Sequence, residues 1–357
     1  MDGIDAALVE LGDRSCKTIT TYSHDYPPLL RERLQIASRN PETVGIDELG
    51  RLDHATGHCF KDAAQGVLRK AGLSAAAVRA IGSHGQTIRH LPRDGEPFTL
   101  QVGDPNIIAS GTGITTVADF RRRDVALGGE GAPLAPAFHQ WLFASEAAPR
   151  VVLNIGGFAN VTVLQGTSGK VVGFDTGPGN SLLDAWHRKH NGGPYDNDGA
   201  WAASGIVDEA LLRACLDDPY FALSPPKSTG FEYFNLEWLS QQLGIADLAP
   251  VDVQATLLAL TVTSIRQAIA EHAPDTTDVL VCGGGVHNGA LIRELAAAVD
   301  PIAVRSTDEF GLHPDWVEAA AFAWLASRTL DGLAGNLPAV TGASGEAVLG
   351  GIYPATR

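Results

Sequence analysis

A carboxylate at the end of an apolar segment is the first candidate for chemistry in this sequence. Asp175 follows the apolar residues 171–174 and precedes a Gly-Pro-Gly turn. Burial at the floor of a cleft can raise the pKa of such a carboxyl group toward working pH, which suits a general base. The alternative is an Asx-turn carboxylate that only closes the loop. The residues alone favour neither interpretation over the other.

Three glycine loops follow predicted strands and could hold a phosphate group. They are Gly156 with Gly157, the Asp175-Thr176-Gly177-Pro178-Gly179-Asn180 segment, and Gly283 with Gly284 and Gly285. Glycine lets backbone N–H groups approach a phosphate, and a following helix N-terminus adds partial positive charge. One such loop is more often only a turn, but three at strand ends favour a nucleotide site. The sequence has no P-loop motif and no complete G-x-G-x-x-G motif, so P-loop NTPases and dinucleotide dehydrogenases fit poorly.

The densest positive charge in the chain is the run Arg121, Arg122 and Arg123. Guanidinium groups bind anionic groups bidentately, so this run could hold part of an anionic substrate. The structural alternative is a solvated cluster that pairs with Asp119 and Asp124.

Two further polar residues have structural explanations. Asp315 and Glu318 have the spacing of a helix N-cap and the N3 position of a capping box, which would explain Glu318 without chemistry. His84, between Ser83 and Gly85, is more typical of a hydrogen-bonded loop histidine than of a catalyst. Motifs of metalloproteases and esterases are absent from the sequence.

Strand and helix patterns alternate along the chain and predict two α/β units with a cleft between them. Strands are predicted near residues 4–10, 80–82, 114–120, 150–164 (a hairpin), 171–174 and 278–282. Helices are predicted over most of residues 26–72, after residues 181, 206 and 256, and after Asn288, which can cap its helix. The Gly- and Pro-rich residues 128–133 are the best candidate for a hinge.

Composition excludes several classes of protein. The 357 residues are 45% hydrophobic and 19% charged, which predicts a globular chain of roughly two domains. A net charge of −15 disfavours nucleic-acid and membrane-surface binding. The four cysteines are far apart and predict reduced thiols. With neither a leader nor an apolar run of about 18 residues in evidence, we expect a soluble, cytoplasmic protein.

Several motifs together resemble the anhydro-N-acetylmuramic acid kinase family. The resemblance covers nearly the whole chain in order. It rests on Asp2-Gly3-Ile4-Asp5, Gly82-Ser83-His84-Gly85-Gln86-Thr87, Asp119-Phe120-Arg121-Arg122-Arg123-Asp124, Gly131-Ala132-Pro133, Leu153-Asn154-Ile155-Gly156-Gly157, Asp175-Thr176-Gly177-Pro178-Gly179-Asn180, Lys227-Ser228-Thr229-Gly230, Cys282-Gly283-Gly284-Gly285 and Val340-Thr341-Gly342-Ala343.

The resemblance implies the actin/Hsp70/sugar-kinase architecture of two ribonuclease-H-like lobes with an interlobe cleft. It implies lobes at residues 1–120 with 345–357 and at residues 121–344. It further implies a bacterial, homodimeric enzyme of peptidoglycan recycling. Such an enzyme converts 1,6-anhydro-N-acetylmuramate, ATP and water to N-acetylmuramate 6-phosphate and ADP, with Mg²⁺ entering through ATP rather than on protein ligands.

The resemblance also implies roles for individual residues. Asp175 corresponds to the base that activates water, and Arg123, Gln86 and Glu318 correspond to sugar contacts. The implied ATP-binding residues are Asp2, Gly3 and Asp5, the second phosphate loop Gly156 and Gly157, and the adenosine-side loop Gly283, Gly284 and Gly285.

Two departures from the family pattern lead to further expectations. Family members have a strand and a Gly-Thr-Ser phosphate loop just before the Asp-Gly-Ile-Asp run, where this sequence has Met1, and Phe231 stands where the family usually has Arg. A lobe without that strand would expose an unpaired sheet edge. We therefore expect this chain to phosphorylate poorly and an upstream-extended chain to be active. The alternatives are an impaired or non-catalytic binding paralogue and another sugar or acetate kinase of the superfamily.

Overall fold

The computed structural model of the chain describes residues 3–167, 169–242 and 248–355, so Asp2 lies outside the described residues. The strands within them are β1 (Gly3–Gly12), β2 (Ser15–Asp25), β3 (Ile81–Gly82), β4 (Gln86–Leu91), β5 (Phe98–Val102), β6 (Thr116–Ala118), β7 (Arg150–Ile155), β8 (Phe158–Leu164), β9 (Val171–Pro178), β10 (Asp278–Cys282), β11 (Ala303–Ser306) and β12 (Gly351–Tyr353). The helices are α1 (Pro28–Arg39), α2 (Ile46–Ala71), α3 (Pro105–Thr112), α4 (Arg122–Ala126), α5 (Ala135–Phe143), α6 (Ser181–Asn191), α7 (Ala200–Ser204), α8 (Glu209–Leu216), α9 (Leu236–Ser240), α10 (Pro250–His272), α11 (Gly289–Ala298), α12 (Val317–Leu330) and α13 (Pro338–Thr341).

The chain divides into two compact α/β units, as the strand and helix pattern predicts. Unit 1 comprises Met1–Phe138 with Trp316–Arg357, and unit 2 comprises His139–Asp315. The divisions therefore lie after residues 138 and 315, whereas the resemblance places them after residues 120 and 344. Helix α12 belongs to unit 1 because it packs against β1, β3 and β6.

Unit 2 is built on one mixed sheet of five strands in the order β11-β10-β7-β8-β9. Strands β7, β10 and β11 are parallel, and β8 runs antiparallel to both β7 and β9. This order and these directions are those of a ribonuclease-H-like sheet, which confirms the predicted fold class. The carboxyl ends of β7 and β10 consequently lie at one edge of the sheet, where ligands of such sheets bind.

Helix α10 supplies much of the core of unit 2. Its buried residues include Leu257, Leu258, Thr261, Ile265 and Ile269, which follow the spacing predicted from the sequence. The sequence predicts no membrane span, yet α10 is long and apolar enough to cross a membrane by length and composition alone. In its most apolar window 67% of the residues are buried inside the protein, which is the pattern of a core helix.

Unit 1 contains three small sheets, β1-β2, β12-β6-β3 and β4-β5. Among the described residues β1 pairs only with β2, and β3 pairs only with β6. Residues 4–8 of β1 and residues 80–84 around β3 line a common cavity of about 150 Å³, together with residues that come mainly from α2 and α12. This cavity is mostly apolar because Phe60, Val67 and Phe322 face it.

Asp124 connects distant parts of unit 1 through hydrogen bonds to its side chain. Its side chain is 0% exposed and accepts hydrogen bonds from Gly131 N (2.8 Å), Asn336 Nδ2 (2.7 Å) and Thr341 Oγ1 (2.8 Å). The interpretation of Asp124 as an ion-pair partner of the neighbouring arginines is wrong, because backbone and uncharged groups satisfy this carboxylate. The Gly- and Pro-rich residues 128–133 lie within unit 1 and are held by this network.

The four cysteines are buried, and no disulfide joins any of them within the described ranges. Burial raises the pKa of Cys16 to about 11 and the pKa of Cys215 to about 12. These two thiols therefore remain protonated and unreactive at neutral pH, as expected for structural cysteines.

Candidate active site

Asp175 lies inside strand β9, which continues to Pro178 instead of ending at residue 174. Its Oδ2 accepts a hydrogen bond from the backbone N–H of Thr229 at 2.9 Å, so the predicted alternative of a local Asx-turn is wrong. Burial raises the pKa of Asp175 to about 6, and the Thr229 N–H opposes that rise by stabilising the carboxylate. The structure thus gives this carboxyl group the protonation range of a general base.

A row of polar residues crosses the sheet at the level of Asp175. In the strand register Asp175 is paired with Asn160, Asn160 with Asn154, and Asn154 with Cys282. Residues paired in this way share one face of a sheet, so Asn160 lies beside Asp175 on its own face and Asn154 follows one strand further away. The sequence analysis missed both of them. The signal was present, since each interrupts an apolar strand within three residues of the Gly156-Gly157 turn.

Two of the predicted glycine loops are docked onto each other. Gly156 and Gly157 connect β7 to β8, and their carbonyl oxygens accept hydrogen bonds from the N–H groups of Asn180 (2.9 Å) and of Gly179 and Ser181 (both 2.9 Å). A Cβ at Gly179 would lie 2.5 Å from the Gly156 oxygen, so only glycine permits this approach. The loop that follows Asp175 therefore positions the Gly156-Gly157 loop directly.

This docked pair presents unsatisfied hydrogen-bond donors. Within the described part of the chain, the Gly157 N–H has no acceptor and the buried Ser181 Oγ has no hydrogen-bond partner. Ser181 is the first residue of α6, where the helix dipole is positive. Phosphate oxygens would satisfy these donors, so the arrangement fits a phosphate group.

The third glycine loop follows β10 at the same edge of the sheet. Gly283 has φ of +80°, and a Cβ there would lie 2.8 Å from the carbonyl oxygen of Ile155. A Cβ at Gly284, by contrast, would meet no atom within 4 Å. The predicted cap of the next helix is confirmed, because the Asn288 side chain accepts from Leu291 N at 3.0 Å. The backbone at Gly284 therefore has free space around it, and it lies just before the N-terminus of α11, which Asn288 caps.

Phe231, the residue that departs from the family pattern, lies against the Gly156-Gly157 loop. Its ring is 5.0 Å from the Phe158 ring in an edge-to-face arrangement, and it would be 3.3 Å from a Cβ at Gly157. Phe231 is nevertheless 67% exposed. An exposed aromatic surface thus lies beside the candidate phosphate loop.

In unit 1, Arg121 binds His84 and forms no ion pair with a carboxylate of the residues that the structure describes. Its Nε and Nη2 lie 3.0 and 2.9 Å from His84 Nε2, and Nη1 donates to the Gly131 carbonyl oxygen at 2.8 Å. Burial, and then the positive charge of Arg121, lower the pKa of His84 to about 3. Burial also lowers the pKa of Arg121, which Glu318 partly opposes. His84 is therefore a neutral acceptor, as its loop position predicts, and Arg121 has a structural partner.

The other two arginines are closer to solvent. Arg122 pairs with Asp119 at 3.6 Å, as the structural alternative predicts. Arg123 is exposed and makes no hydrogen bond or ion pair with any residue that the structure describes. Arg123 is thus the member of the run that remains available to a ligand.

The predicted capping box around Glu318 is wrong. Helix α12 begins at Val317 with Trp316 at the N-cap and without a side-chain cap, while Asp315 pairs with His287 at 2.9 Å. Glu318 is exposed, and in the described ranges no side-chain hydrogen bond satisfies it. The structural explanation of Glu318 therefore fails, and its carboxylate is available to a ligand.

The remaining predicted site residues of unit 1 lie on strands. Gln86, the first residue of β4, accepts a hydrogen bond from the Tyr26 hydroxyl at 3.3 Å. Gly3 and Asp5 lie on β1, where the Asp5 carboxylate accepts from Ser23 Oγ at 2.9 Å. No group of three or more His, Cys, Asp or Glu residues in the described part of the chain could hold a metal ion.

The sheet order of unit 2 and the glycine loops at its edge define a protein of the actin, Hsp70 and sugar-kinase class. Comparison with known proteins then specifies the family. Residues 1–355 match the family model described as "Anhydro-N-acetylmuramic acid kinase". The chain belongs to this family and is therefore a kinase.

Curated relatives with that name are similar over nearly the whole chain. The one from Xanthomonas campestris pv. campestris (strain 8004) is 53% identical over 357 residues, which cover 99% of this chain and 94% of the relative. Those from Xylella fastidiosa (strain Temecula1) and Coxiella burnetii (strain Dugway 5J108-111) are each 50% identical, with the same coverage of 99% and 94%.

Two solved structures resemble the chain more distantly. The activator of the 2-hydroxyisocaproyl-CoA dehydratase from Clostridium difficile has a TM-score of 0.42 at 10% identity, covering 92% of this chain and 98% of that one. Component A of the (R)-2-hydroxyglutaryl-CoA dehydratase of Acidaminococcus fermentans has a TM-score of 0.41 at 10% identity, covering 90% and 99%. Neither likeness bears on the function of this chain.

Proposed function

We propose that the chain converts 1,6-anhydro-N-acetylmuramate, ATP and water to N-acetylmuramate 6-phosphate and ADP, as part of peptidoglycan recycling. Family membership supports a kinase that acts on a small sugar. The observation that carries the chemical step is the Asp175 carboxyl group, which burial poises at a pKa of about 6 next to the docked glycine loops. An acetal is opened by an activated water, and a carboxylate with that pKa is ionised and basic at neutral pH.

The proposed reaction uses Asp175 as a general base. The carboxylate takes a proton from water while the water oxygen bonds to the anomeric carbon of the bridged sugar. The C1–O6 bond breaks with its electron pair on O6, and O6 bonds to the γ-phosphorus while the bond from that phosphorus to ADP breaks. The proton on Asp175 then returns to solvent. One water and one phosphoryl group are consumed for each sugar.

The residues around the glycine loops fit the phosphates of ATP. Gly157 N–H, Ser181 Oγ and the N-terminus of α6 would bind phosphate oxygens, and the open backbone at Gly284 would face the adenosine side. When bound with ATP, Mg²⁺ neutralises the phosphates and so favours attack by an oxygen nucleophile. Gly283 and Gly285 hold the shape of the loop, since a Cβ at either would strike Ile155.

The sugar contacts in this proposal are Arg123, Gln86 and Glu318. Arg123 supports it best, because its guanidinium has no partner among the described residues and suits the lactyl carboxylate of muramate. Glu318 likewise has no capping role, so its carboxylate can accept from sugar hydroxyls. Gly3 and Asp5 are proposed nucleotide contacts, and the enzyme is proposed to act as a cytoplasmic homodimer.

Product analysis tests the proposed substrate. The purified protein is incubated with ATP, Mg²⁺ and 1,6-anhydro-N-acetylmuramate, and in parallel with glucosamine or acetate, and ADP and the phosphorylated products are quantified. We expect a 6-phosphate only from the anhydro sugar, with ADP formed in equal amount. Phosphorylation of glucosamine or acetate at a comparable rate would assign the chain to another reaction. Sugar binding without ADP formation would assign it to a binding function.

A further inference from the structure

The segment of residues 220–229 forms a closed ring of hydrogen bonds with Asp175. The Asp175 N–H donates to the Lys227 carbonyl oxygen at 3.0 Å, and the Thr229 N–H donates to Asp175 Oδ2 at 2.9 Å. From the other end of the segment, the Tyr220 hydroxyl donates to the Asp175 carbonyl oxygen at 2.8 Å. Among the described residues β9 is the last strand of its sheet, so these bonds take the place of a neighbouring strand at Asp175.

The side chain of Lys227 joins the two ends of this segment. Its Nζ donates to the carbonyl oxygens of Tyr220 and Phe221, both at 3.3 Å, and lies 4.9 Å from the centre of the Tyr220 ring. No carboxylate in the described part of the chain lies within 4 Å of this ammonium group. Lys227 therefore acts on the segment itself, through backbone carbonyls and a cation–π contact.

We propose that Lys227 and Tyr220 are positioning residues for the reaction: they hold the segment so that the Thr229 N–H fixes the orientation and the basicity of the Asp175 carboxylate. The inference rests on the proposed role of Asp175 as the base. Neither side chain need touch the substrate. Their contacts instead close the ring whose other members are the backbone groups on either side of Asp175.

Few other titratable groups bear on Asp175. On the segment itself they are the Tyr220 hydroxyl and the Lys227 ammonium group. Strand β8 presents the uncharged Asn160. On α10, Arg266, Glu271 and His272 line a cavity of about 400 Å³ together with Lys227, Phe174 and Thr176 of β9. Burial lowers the pKa of Lys227 and Glu271 opposes that change, so α10 influences the lysine.

Loss of the Tyr220 and Lys227 contacts that hold residues 220–229 should change the pKa of Asp175. The Thr229 N–H lowers the pKa of Asp175 because it binds the ionised carboxylate. A hydrogen bond to a charged group is worth on the order of 1.5 kcal/mol, or about one pH unit. If the segment loosens and this bond lengthens, the pKa of Asp175 rises, and more of the enzyme is protonated near neutral pH.

The test is the pH profile of kcat/KM from pH 5 to 9 for wild type, Tyr220→Phe and Lys227→Met. We expect the acid limb of both variants to move up by about one pH unit, so that activity falls about threefold at pH 6.5 and stays near wild type at pH 8.5. Lys227→Arg should restore most of the wild-type profile. Tyr220→Phe removes a single oxygen atom and so provides a folded variant if Lys227→Met is unstable.

Tyr233→Phe is the matched control. Tyr233 packs beside Tyr220 in the same aromatic cluster, but its hydroxyl donates to Asp218, not to Asp175. Its acid limb should coincide with that of wild type. An acid limb that stays in place or moves down in both Tyr220→Phe and Lys227→Met would overturn the inference, whatever happens to kcat. Asp175→Asn separates the two claims: if that variant keeps its turnover, the proposed base is wrong, and if only the acid limbs fail to move, the positioning role is wrong.

Discussion

Asp175 is held in an environment that favours its protonated form, so it should cost stability at neutral pH. Its pKa of about 6 in the folded protein lies above the value of 3.8 for an unperturbed aspartate, so the folded state binds the proton more tightly. Stability therefore falls as pH rises from about 4 to about 6 and stays low above that range. We predict that Asp175→Asn is more stable than wild type at pH 8 by about 1 to 2 kcal/mol.

Urea unfolding at several pH values measures this difference. Because asparagine imitates the neutral carboxyl group, the gap should close as pH falls toward 4. Equal stability of the two proteins at pH 8 would mean that the carboxylate is well solvated, contrary to the burial of Asp175.

His84 should make the opposite contribution to the pH dependence of stability. Its pKa is lowered to about 3 in the folded protein. Between about pH 3 and pH 6.5, His84 is therefore protonated in the unfolded chain but neutral in the folded protein. The stability due to a neutral His84 is complete above pH 6.5 and is lost as pH falls toward 3. We predict that His84→Gln, which keeps an acceptor for Arg121, flattens the loss of unfolding free energy between pH 6 and 4 by about 1.4 kcal/mol per pH unit. The matched control is His54→Gln on the exposed face of α2, and a variant at His84 with the wild-type slope would refute the explanation.

Residue types could be predicted from the sequence better than their partners. Asp175, Arg123 and Glu318 are recognisable from local motifs, but the local explanations offered for Asp175 and Glu318 are wrong. The donor to Asp175 comes from Thr229, far along the chain, and Asp315 binds His287 in place of capping α12. Such partners depend on tertiary structure, which a spacing rule over four residues cannot predict.

Substitutions in two of the glycine loops can test the roles of these loops separately. A Cβ at Gly284 would meet no atom, whereas a Cβ at Gly179 would strike the Gly156 oxygen. We predict that Gly284→Ala folds with wild-type stability but raises the KM for ATP severalfold, because a methyl group would occupy the space of the nucleotide. Gly179→Ala should lower both stability and ATP affinity, since it displaces the Gly156-Gly157 loop.

Thermal unfolding and steady-state kinetics distinguish these outcomes. Gly345→Ala is the control, because a Cβ there is also free of neighbours and Gly345 is not among the proposed nucleotide contacts. A Gly284→Ala protein with an unchanged KM for ATP would place the nucleotide elsewhere.

Several elements of unit 2 could be predicted because β7 and β10 are apolar runs followed directly by glycine. The hairpin of β7 and β8, the strand β10 and the cap at Asn288 all agree with the sequence pattern. Unit 1 is harder, since β2 and β4 are mostly polar strands without a continuous apolar face, and each belongs to a sheet of only two strands. Their pairing is set by register between distant segments, which no local pattern reveals.

At the scale of the molecule, the chain combines a ribonuclease-H-like unit 2 with a unit 1 whose strands form smaller sheets. Composition predicts roughly two domains, but it cannot place their boundaries, because helix α12 joins unit 1 only through packing against its strands. The candidate catalytic carboxylate belongs to unit 2, whereas Arg123, Gln86 and Glu318 belong to unit 1.

The most direct test of the central claim is the turnover of Asp175→Asn with ATP and 1,6-anhydro-N-acetylmuramate, measured together with sugar binding by calorimetry. The amide keeps the shape of the side chain and an acceptor for Thr229, but it cannot take a proton from water. We predict that kcat falls by about a thousandfold or more while the sugar binds with an affinity within a few-fold of wild type. A variant that retains a tenth of the wild-type turnover would contradict the assignment of Asp175 as the base.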